Sequence, residues 1–314
     1  MEFSYDNYIK ASPDERLNLF MSTLAITNRT PEYYINWEKV IRGTKKFELE
    51  LNTLNYLIGK SDIYNESFNL FTKQPELIKT IPSLIASRDI VLDILSLDEN
   101  YNMEFQQLDF KNINTENIKK YVDFCEDSGL LSFLKNNANR SLVDYVYGIE
   151  AGLDSNGRKN RSGTIMESIL SKNVDKLCAQ LDLEHKSQAT ASYIKKKWGI
   201  TVPVDKSERR FDEVIYDYRS NNIWIIETNY YGGGGSKLKS VSGEFINLNN
   251  FINKSEQNIF FIWITDGKGW NTAKKPLSEA FEQIDYIFNL EMLKEDFLVN
   301  LFNIKKTNYF IFCS

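Results

Sequence analysis

A β-hairpin pattern in residues 210–231 constrains the fold of this chain more than any other feature. Two runs rich in β-branched and aromatic residues, "RFDEVIYDY" and "IWIIETNYY", stand on either side of the short polar segment "RSNN". Such runs separated by a polar turn are typical of two antiparallel strands. A turn in the middle of the polar segment pairs Asp212 with Asn229 and Val214 with Glu227. Because side chains alternate along a strand, this register predicts that Asp212, Glu227 and Asn229 share one face of the sheet.

Helix and strand patterns around the hairpin predict an α/β core in residues 150–314. Amphipathic helices are indicated by "TIMESILSKNVDKLCAQL" and "ATASYIKKKWG" before the hairpin, and by "SGEFINLNNFINK" after it. The run "NIFFIWIT" is typical of a buried strand, and "KPLSEAFEQIDYIFNL" is a closing helix. The order α-β-β-α-β-α favours a mixed central sheet flanked by helices.

Residues 1–149 are expected to form a helical N-terminal region. Apolar residues recur at helical spacing in capped segments such as "PDERLNLFMSTLAI" and "NTENIKKYVDFCEDSG". The segment "PELIKTIPSLIASRDIVLDIL" has similar spacing, with Pro82 as the expected break. At the junction, "GLDSNGRKNRSG" combines Gly, Asp, Ser and Asn with basic residues, and this composition predicts a loop.

Few residues are available for thiol or soft-metal chemistry. Cys125, Cys178 and Cys313 are scattered and form no CxxC pair, so neither a disulfide framework nor a structural zinc site is expected. His185 is the single histidine and stands in the polar stretch "DLEHKSQ", where a solvated surface position is predicted. Chemistry is therefore expected to depend on carboxylates, lysines and a hard metal ion.

Charge is distributed unevenly along the chain, whose net charge is −5. Residues 1–140 carry 16 basic and 21 acidic side chains, whereas residues 155–240 carry 15 basic and 10 acidic ones. A local basic excess is compatible with a polyanionic partner such as DNA. The start of the chain does not resemble a signal peptide, and runs such as "IFFIWI" are shorter than the ~20 residues that span a bilayer, so a cytoplasmic location is expected.

The hairpin places two carboxylates close together at one end of a strand pair. Asp212 and Glu227 repel each other, and burying them is unfavourable unless a cation lies between them. Mg²⁺ prefers oxygen ligands, typically one or two carboxylates with water and substrate phosphate. The order Asp212…Glu227-Thr228-Asn229 follows the PD-(D/E)xK nuclease pattern. Glu167, in the helix before the hairpin, is a further candidate, because these nucleases often carry a helix glutamate that reaches the metal site.

Four blocks in the same order carry a family resemblance: "GLDSNGRKNRSG", "RFDEVI", "ETNYYGGGGSKL" and "IWITDGKGW". With them the sequence resembles the DpnII/MboI-type restriction endonucleases, densely over residues 140–290 and more weakly in the N-terminal half. The resemblance implies a PD-(D/E)xK core and a type II enzyme that cleaves double-stranded DNA at GATC, before the G, with Mg²⁺ as cofactor. It also implies inhibition by a companion adenine methyltransferase that modifies the same site. A palindromic target is most simply read by a homodimer.

Matching the family pattern residue by residue gives roles to the hairpin residues. Asp212 and Glu227 take the metal-binding roles, and Asn229 stands where the pattern has lysine. Asparagine is not a base, but it can orient the attacking water by hydrogen bonds. Lys237 is the nearest downstream lysine, so the group that activates water stays open at this point.

Two segments are candidates for DNA contact. The predicted junction loop supplies donors suited to guanine, adenine or phosphate, namely Asn156, Arg158, Lys159, Asn160 and Arg161. The glycines 232–235 are expected to let the backbone pass close to a DNA phosphate, with Ser236, Lys237 and Lys239 beside it. A Walker nucleotide loop does not fit, because the order here is Gly-Ser-Lys.

Three alternatives accompany the interpretation as a GATC-specific nuclease. The first is a PD-(D/E)xK nuclease of other specificity or with a repair role. The second is a catalytically decayed DNA-binding protein, and the third is a nucleotide-binding enzyme that uses the glycine loop. Asp266 could be a third metal ligand, but turn or cap chemistry before the next helix is favoured. Trp270 is expected to pack in the interior instead of stacking on a base.

Overall fold

The computed structural model describes residues 3–97, 103–139, 141–204 and 209–303, so Cys313 lies outside the described residues. The chain divides into two compact units. The sheet unit comprises residues 1–30 and 159–314, and the helical unit comprises residues 31–158. Among the described residues, no helix has the length and apolarity needed to cross a membrane.

The secondary structure follows in chain order. The helices are α1 (Tyr5–Lys10), α2 (Pro13–Ser22), α3 (Trp37–Lys45), α4 (Glu48–Leu54), α5 (Ile63–Lys73), α6 (Ile81–Leu84), α7 (Ile118–Asp127), α8 (Leu130–Asn136), α9 (Leu142–Ser155), α10 (Arg158–Leu181), α11 (Ala191–Trp198), α12 (Ser236–Asn253), α13 (Lys274–Gln283) and α14 (Leu290–Lys294). The strands are β1 (Val91–Leu97), β2 (Met103–Asp109), β3 (Glu184–Thr190), β4 (Arg210–Asp217), β5 (Asn222–Tyr230), β6 (Ile259–Asp266) and β7 (Tyr286–Phe288). Segments of 3₁₀ helix lie at Pro31–Tyr33, Asn55–Leu57, Pro75–Thr80, Thr115–Asn117 and Lys268–Thr272.

The sheet unit is built around a five-stranded mixed sheet with the strand order β3-β4-β5-β6-β7. Strands β3, β4 and β5 are antiparallel neighbours, whereas β5, β6 and β7 run parallel. The central strands β5 and β6 carry near-continuous apolar runs, as strands covered on both faces do. Ile225, Ile226 and Trp263 are accordingly fully buried. The predicted α/β class with a mixed sheet and flanking helices is confirmed.

The register of the β4–β5 hairpin differs by two residues from the predicted one. Val214 pairs with Ile225 rather than with Glu227. The connecting loop has four residues, and Asn221 within it adopts a φ of 52°, a left-handed conformation that asparagine tolerates. Because side chains alternate with a period of two, a shift of two residues leaves Asp212 and Glu227 on the same face.

Helices α1 and α2 belong to the sheet unit because they bond to its C-terminal part. The hydroxyl of Tyr8 donates to the carbonyl of Ile287 at 2.6 Å. The guanidinium of Arg16 donates to the carbonyls of Phe281 and Asp285 at 3.0 and 2.6 Å. These hydrogen bonds group both helices with the sheet unit, whereas the sequence predicted a single boundary after residue 149.

The predicted junction loop is wrong. Helix α9 continues to Ser155, and α10 begins at Arg158 after a short break. The apolar face of the 24-residue helix α10 buries Met166, Leu170 and Val174. Packing of an amphipathic face supplies most helical stability in proteins, so it outweighs the weak propensity of the glycine and asparagine in the first turns.

The helical unit contains a pair of strands, so the purely helical prediction is wrong for residues 91–97 and 103–109. Strands β1 and β2 pair antiparallel. Leu92 and Ile94 pack on the core of the unit, whereas Val91 and Leu95 are exposed. This two-residue period is the strand signal in "VLDILSL" that the helical interpretation missed.

His185 is not the solvated surface residue that the sequence predicted. On β3, its Nε2 lies 3.2 Å from Oδ1 of Asp175, and its Nδ1 lies 3.6 Å from Oε2 of the buried Glu213. The side chain is 27% exposed. Cys125 and Cys178 are buried free thiols, as the sequence predicted.

Asp266, at the end of β6, joins three segments of the sheet unit. Its Oδ1 accepts from the N–H groups of Ala25 and Gly267 at 2.8 and 2.6 Å, and its Oδ2 accepts from the N–H of Leu290 at 2.9 Å. The side chain is fully buried. This geometry agrees with the expected structural role.

Asp266→Ala is expected to lower the free energy of unfolding by about 2 kcal/mol or more, because buried N–H groups lose their acceptor. Urea denaturation monitored by circular dichroism measures the change. Asp266→Asn, which keeps one acceptor oxygen, should lose less stability. An alanine variant as stable as wild type would contradict this role.

Candidate active site

Asp212 and Glu227 meet at the ends of β4 and β5. Glu213 pairs with Ile226 in the ladder, so Asp212 and Glu227 occupy the next position of the same register. The N–H of Thr228 donates to Oδ2 of Asp212 at 2.8 Å, which ties the two strand ends together. Glu227 is only 7% exposed. The sheet thus holds two carboxyl groups side by side in a poorly solvated position.

This environment disfavours two negative charges. Burial, followed by the charge of Asp212, raises the pKa of Glu227 to about 8, although the Arg209 guanidinium opposes the rise. Burial also raises the pKa of Asp212, against hydrogen bonds from Thr228, Gln188 and Glu227 that lower it. The pair therefore holds a proton at neutral pH unless a cation replaces it.

The carboxyl pair fits a hard divalent cation with few protein ligands. Among the described residues, no three His, Cys, Asp or Glu side chains form a group that could hold a metal ion. Two carboxylates, completed by water and phosphate oxygens, are a usual donor set for Mg²⁺. Asp212 and Glu227 would hold such an ion.

Gln188 links Glu167 to this pair. Its Nε2 lies 3.4 Å from Oε2 of Glu167 and 3.2 Å from Oδ1 of Asp212. Gln188 has a φ of 53°, a left-handed conformation that is uncommon for a residue other than glycine and often marks functional sites. Burial, followed by the charge of Asp212, raises the pKa of Glu167. Glu167 therefore lies at the edge of the site and reaches it through the carboxamide.

Arg209 compensates part of the negative charge. Its Nε lies 3.2 Å from Oε1 of Glu227, and its Nη1 lies 3.2 Å from Oε1 of Glu244 on α12. The arginine is 9% exposed. A buried guanidinium beside a buried carboxylate fixes the direction of that carboxylate.

Asn229 is held by a directed chain of hydrogen bonds. The indole Nε1 of Trp270 donates to Oγ1 of Thr265 at 2.9 Å, and that hydroxyl donates to Oδ1 of Asn229 at 2.5 Å. Trp270 and Thr265 are fully buried, which confirms the predicted interior position of Trp270. No acceptor among the described residues takes a hydrogen bond from Nδ2 of Asn229. The amide therefore presents donor hydrogens and not its oxygen.

The glycine segment makes close contacts inside the protein. A Cβ on Gly234 would collide with the side chain of Thr272, and a Cβ on Gly269 would collide with the carbonyl of Gly233. Gly234 and Gly269 are thus required where the glycine segment packs against the 3₁₀ segment that follows β6. The next helix, α12, begins at Ser236, and the candidate DNA-contact residues Ser236, Lys237 and Lys239 are exposed on its first turn.

The predicted DNA-reading residues lie at the start of a helix instead of in a loop. Asn156 precedes α10, and Arg158 and Asn160 are exposed in its first turn. Nε of Arg158 donates to the carbonyl of Tyr34 at 3.2 Å. Arg161 is half-buried, and the side chain of Lys159 lies outside what the structure describes.

Sequence reasoning missed Gln188, Arg209 and Thr265. Arg209 and Gln188 come from segments that no motif singles out, and only the fold brings them to the carboxyl pair. A weak signal exists for Thr265, because it stands immediately before Asp266 in the block "IWITDGKGW". The pairing of β5 with β6 puts Thr265 beside Asn229.

A comparison with protein families identifies the family to which the whole chain is similar. The model of the family described as "DpnII restriction endonuclease" matches residues 16–300. The chain belongs to the DpnII restriction endonuclease family. It is therefore a member of the site-specific deoxyribonucleases.

Individual relatives agree with the family match. The type II restriction enzyme LlaDCHI of Lactococcus lactis subsp. cremoris is 62% identical over 95% of this chain and 98% of its own length. The type II restriction enzyme MboI of Moraxella bovis is 36% identical over 87% of this chain and 92% of its own. The type II restriction enzyme DpnII of Streptococcus pneumoniae is 34% identical over 90% of this chain and 96% of its own.

Proposed function

We propose that this DpnII-family chain cleaves double-stranded DNA at unmethylated GATC, before the G, to leave 5′ overhangs. The reaction is Mg²⁺-dependent phosphodiester hydrolysis, and the enzyme works as a homodimer on its palindromic target. The observation that carries the proposal is the pairing of the half-buried Asp212 with the buried Glu227 at the ends of adjacent strands. Burial of two like charges is unfavourable without a cation, so the arrangement is best explained by a metal-assisted reaction.

The order of elements supports a PD-(D/E)xK core. Helix α10 carries Glu167, β4 carries Asp212 and β5 carries Glu227, and β5 then pairs in parallel with β6 after the intervening α12. The specificity for GATC rests on the resemblance to the DpnII/MboI-type enzymes and on the identities to relatives with those names. A companion adenine methyltransferase, which protects the host's own sites, belongs to this proposal.

In the proposed mechanism the protein positions carboxylates around the scissile phosphate. Asp212 and Glu227 would supply the carboxylate oxygens that hold a Mg²⁺ ion. When bound, the ion would polarise the phosphate as a Lewis acid and lower the pKa of a bound water. Arg209 keeps Glu227 oriented and favours its ionised form. Gln188 connects Asp212 with Glu167, which keeps a third carboxylate beside the site.

Asn229 acts in this mechanism as a hydrogen-bond donor. Its Oδ1 is engaged by Thr265, so its Nδ2 is the group available to the attacking water or to a phosphate oxygen. A lysine at this position would also donate, but it would add a positive charge. Ser236, Lys237 and Lys239, at the start of α12, are proposed to contact DNA phosphates. Arg158, Lys159, Asn160 and Arg161, with Asn156, are proposed to contact DNA from the start of α10.

Digestion of DNA with sequencing of the ends tests the proposal. Plasmid from a strain without adenine methylation should be cut at every GATC in the presence of Mg²⁺, with ends that begin with the G. The same plasmid methylated at adenine should stay intact. Cutting at another sequence would support a nuclease of other specificity, and complete absence of cutting would support a decayed DNA-binding protein. Tight ATP or GTP binding without DNA would support the nucleotide-binding alternative.

Thr265→Val is expected to lower the single-turnover cleavage rate about tenfold, because the valine cannot donate to Asn229 and the amide loses its fixed orientation. Thr265→Ser keeps the hydroxyl and should retain most activity. The decisive comparison is with Asn229→Ala: adding Thr265→Val to that variant should change the rate little, since the oriented group is already absent. If the losses in cleavage rate of the two single variants multiply in the double variant, Thr265 acts on the rate by a route that does not involve Asn229.

A further inference from the structure

The helical unit contains a pocket of about 420 Å³ with a mainly basic wall. Its charged lining residues are Lys39, Arg42, Lys46, Lys79, Arg88 and Glu150. The five basic side chains are exposed. The remaining lining is apolar or carries hydroxyl groups, and it includes no Asn or Gln side chain.

This concentration of positive charge contrasts with the composition of the helical unit. Residues 31–158 contain 14 basic and 20 acidic side chains, so the unit has a net charge of −6. The pocket holds five basic residues and one acidic residue, which gives it a charge of +4. A patch whose sign is opposite to that of its unit attracts anions locally despite the overall charge.

The single acidic residue shapes the pocket without neutralising it. Glu150, on α9, is 7% exposed, and its Oε2 lies 3.1 Å from Nη2 of Arg88. Gly43 on α3 packs directly against Glu150, because a Cβ at Gly43 would lie 2.9 Å from Cδ of that glutamate. The carboxylate of Glu150 therefore pairs with Arg88 and packs in the contact between α3 and α9, so it does not neutralise the other basic residues of the pocket.

The other four basic residues keep their charge available. Within the described part of the chain, no carboxylate lies at ion-pair distance from Lys39, Arg42, Lys46 or Lys79. Several unneutralised cations that line one pocket repel each other, so their arrangement is unfavourable without an anionic partner.

Three of these residues form a row. Lys39, Arg42 and Lys46 follow each other at intervals of three and four residues on α3 and its C-terminal cap, so they lie on one face of the helix. At 1.5 Å per residue the row is about 10 Å long. One small anion fills only part of such a row. A DNA strand, with a phosphate for about every 3.4 Å of helix axis, presents several charges along this length.

We propose that this pocket binds the phosphate backbone of double-stranded DNA as a contact separate from the candidate active site. The lining suits the backbone more than base edges, because lysine acts as a point charge and the pocket offers no Asn or Gln for adenine. The contact contributes affinity without sequence preference. It rests on the helical unit alone and not on the chemistry assigned to Asp212 and Glu227.

The test uses the full-length chain with Lys39→Gln, Arg42→Gln and Lys46→Gln combined, in buffer with EDTA so that no DNA is cut. Fluorescence anisotropy measures the dissociation constant for two ~25-base-pair duplexes, one with a GATC site and one without, over a range of KCl concentrations. The triple variant should bind both duplexes about tenfold or more weakly at moderate salt. The slope of log Kd against log[KCl] should fall by about 2 to 3, which is about 0.9 for each lost phosphate contact.

A matched control replaces three exposed lysines of the same unit outside the pocket, Lys73, Lys111 and Lys135, with glutamine. This control loses the same charge and should keep a Kd and a salt slope close to wild type. Equal losses in both triple variants would show a general charge effect and would overturn the proposal. A wild-type Kd and slope in the pocket variant would overturn it as well.

Two further measurements keep the result interpretable. Thermal unfolding checks that the pocket variant is folded. If the triple variant is unstable, the single variant Lys39→Glu, at an exposed position, replaces it and should bind both duplexes more weakly than wild type. Calorimetry with inorganic phosphate tests whether the pocket binds a small anion instead of DNA. If the pocket variant loses phosphate binding but binds DNA as wild type does, the pocket is a small-anion site and the proposal is contradicted. Since no step requires cleavage, failure of the GATC digestion leaves this test intact.

Discussion

Asp212→Asn and Glu227→Gln should each reduce GATC cleavage by at least ~10³-fold. Each variant removes a charged oxygen ligand from the cation, and such a cation stabilises the transition state by several kcal/mol. Both variants should bind a GATC duplex as tightly as wild type or more tightly. Their amides have nearly the shape of the carboxylates, and they remove negative charge near the DNA phosphate. Single-turnover cleavage with saturating enzyme separates the chemical step from binding, and anisotropy in EDTA measures the affinity.

Glu213→Gln is the matched control for these two variants. Glu213 is the next residue of β4, is 2% exposed and accepts a hydrogen bond from Ser187 on the other face of the strand. Its replacement removes an equally buried carboxylate away from Asp212 and Glu227, so cleavage should stay within a fewfold of wild type. Near-wild-type cleavage by Asp212→Asn or by Glu227→Gln would contradict the metal-binding role.

The stability of the metal-free protein should fall as the pH rises through the neutral range. In the folded state the pKa of Glu227 is about 8 against an ordinary value of 4.5, so the folded protein binds more protons than the unfolded chain between these values. The contribution of Glu227 is fully present below pH 4.5 and is lost as the pH rises through about 8. The loss is on the order of 5 kcal/mol, since each unit of pKa difference corresponds to about 1.4 kcal/mol.

Urea denaturation in EDTA at pH 5, 7 and 9 measures this dependence. Wild type should lose stability relative to Glu227→Gln as the pH increases, because the amide has no proton to lose. Addition of Mg²⁺ at pH 9 should restore part of the wild-type stability and affect the variant less. Parallel pH profiles for the two proteins would show that Glu227 is ionised in the folded state without a cation.

The central hairpin was predictable because its signal is local. Alternation along "RFDEVIYDY" and "IWIIETNYY" is enough to put Asp212 and Glu227 on one face, and the two-residue error in register left that face unchanged. Turn geometry was the missing information, since the four-residue loop depends on the left-handed Asn221. A one-residue error would have separated the two carboxylates.

The parts of the site that sequence reasoning missed depend on long-range packing. Gln188 reaches Asp212 from β3 with a left-handed backbone, and Arg209 approaches Glu227 from the segment before β4. No periodicity encodes either contact. The start of α10 shows the opposite error, because its composition resembles a loop while its apolar face, buried in the sheet unit, makes it a helix.

The exchange of a proton for a divalent cation at the Asp212–Glu227 pair tests the central claim most directly. A pH-stat at pH 7 records the protons released when MgCl₂ is added to the metal-free protein, with NaCl of equal ionic strength as the reference. Wild type should release about one proton per chain, because the pKa of Glu227 near 8 keeps the pair protonated until the ion binds, and Glu227→Gln should release almost none. Equal proton release by the two proteins, or none from wild type at saturating Mg²⁺, would contradict a metal site built on these two carboxylates.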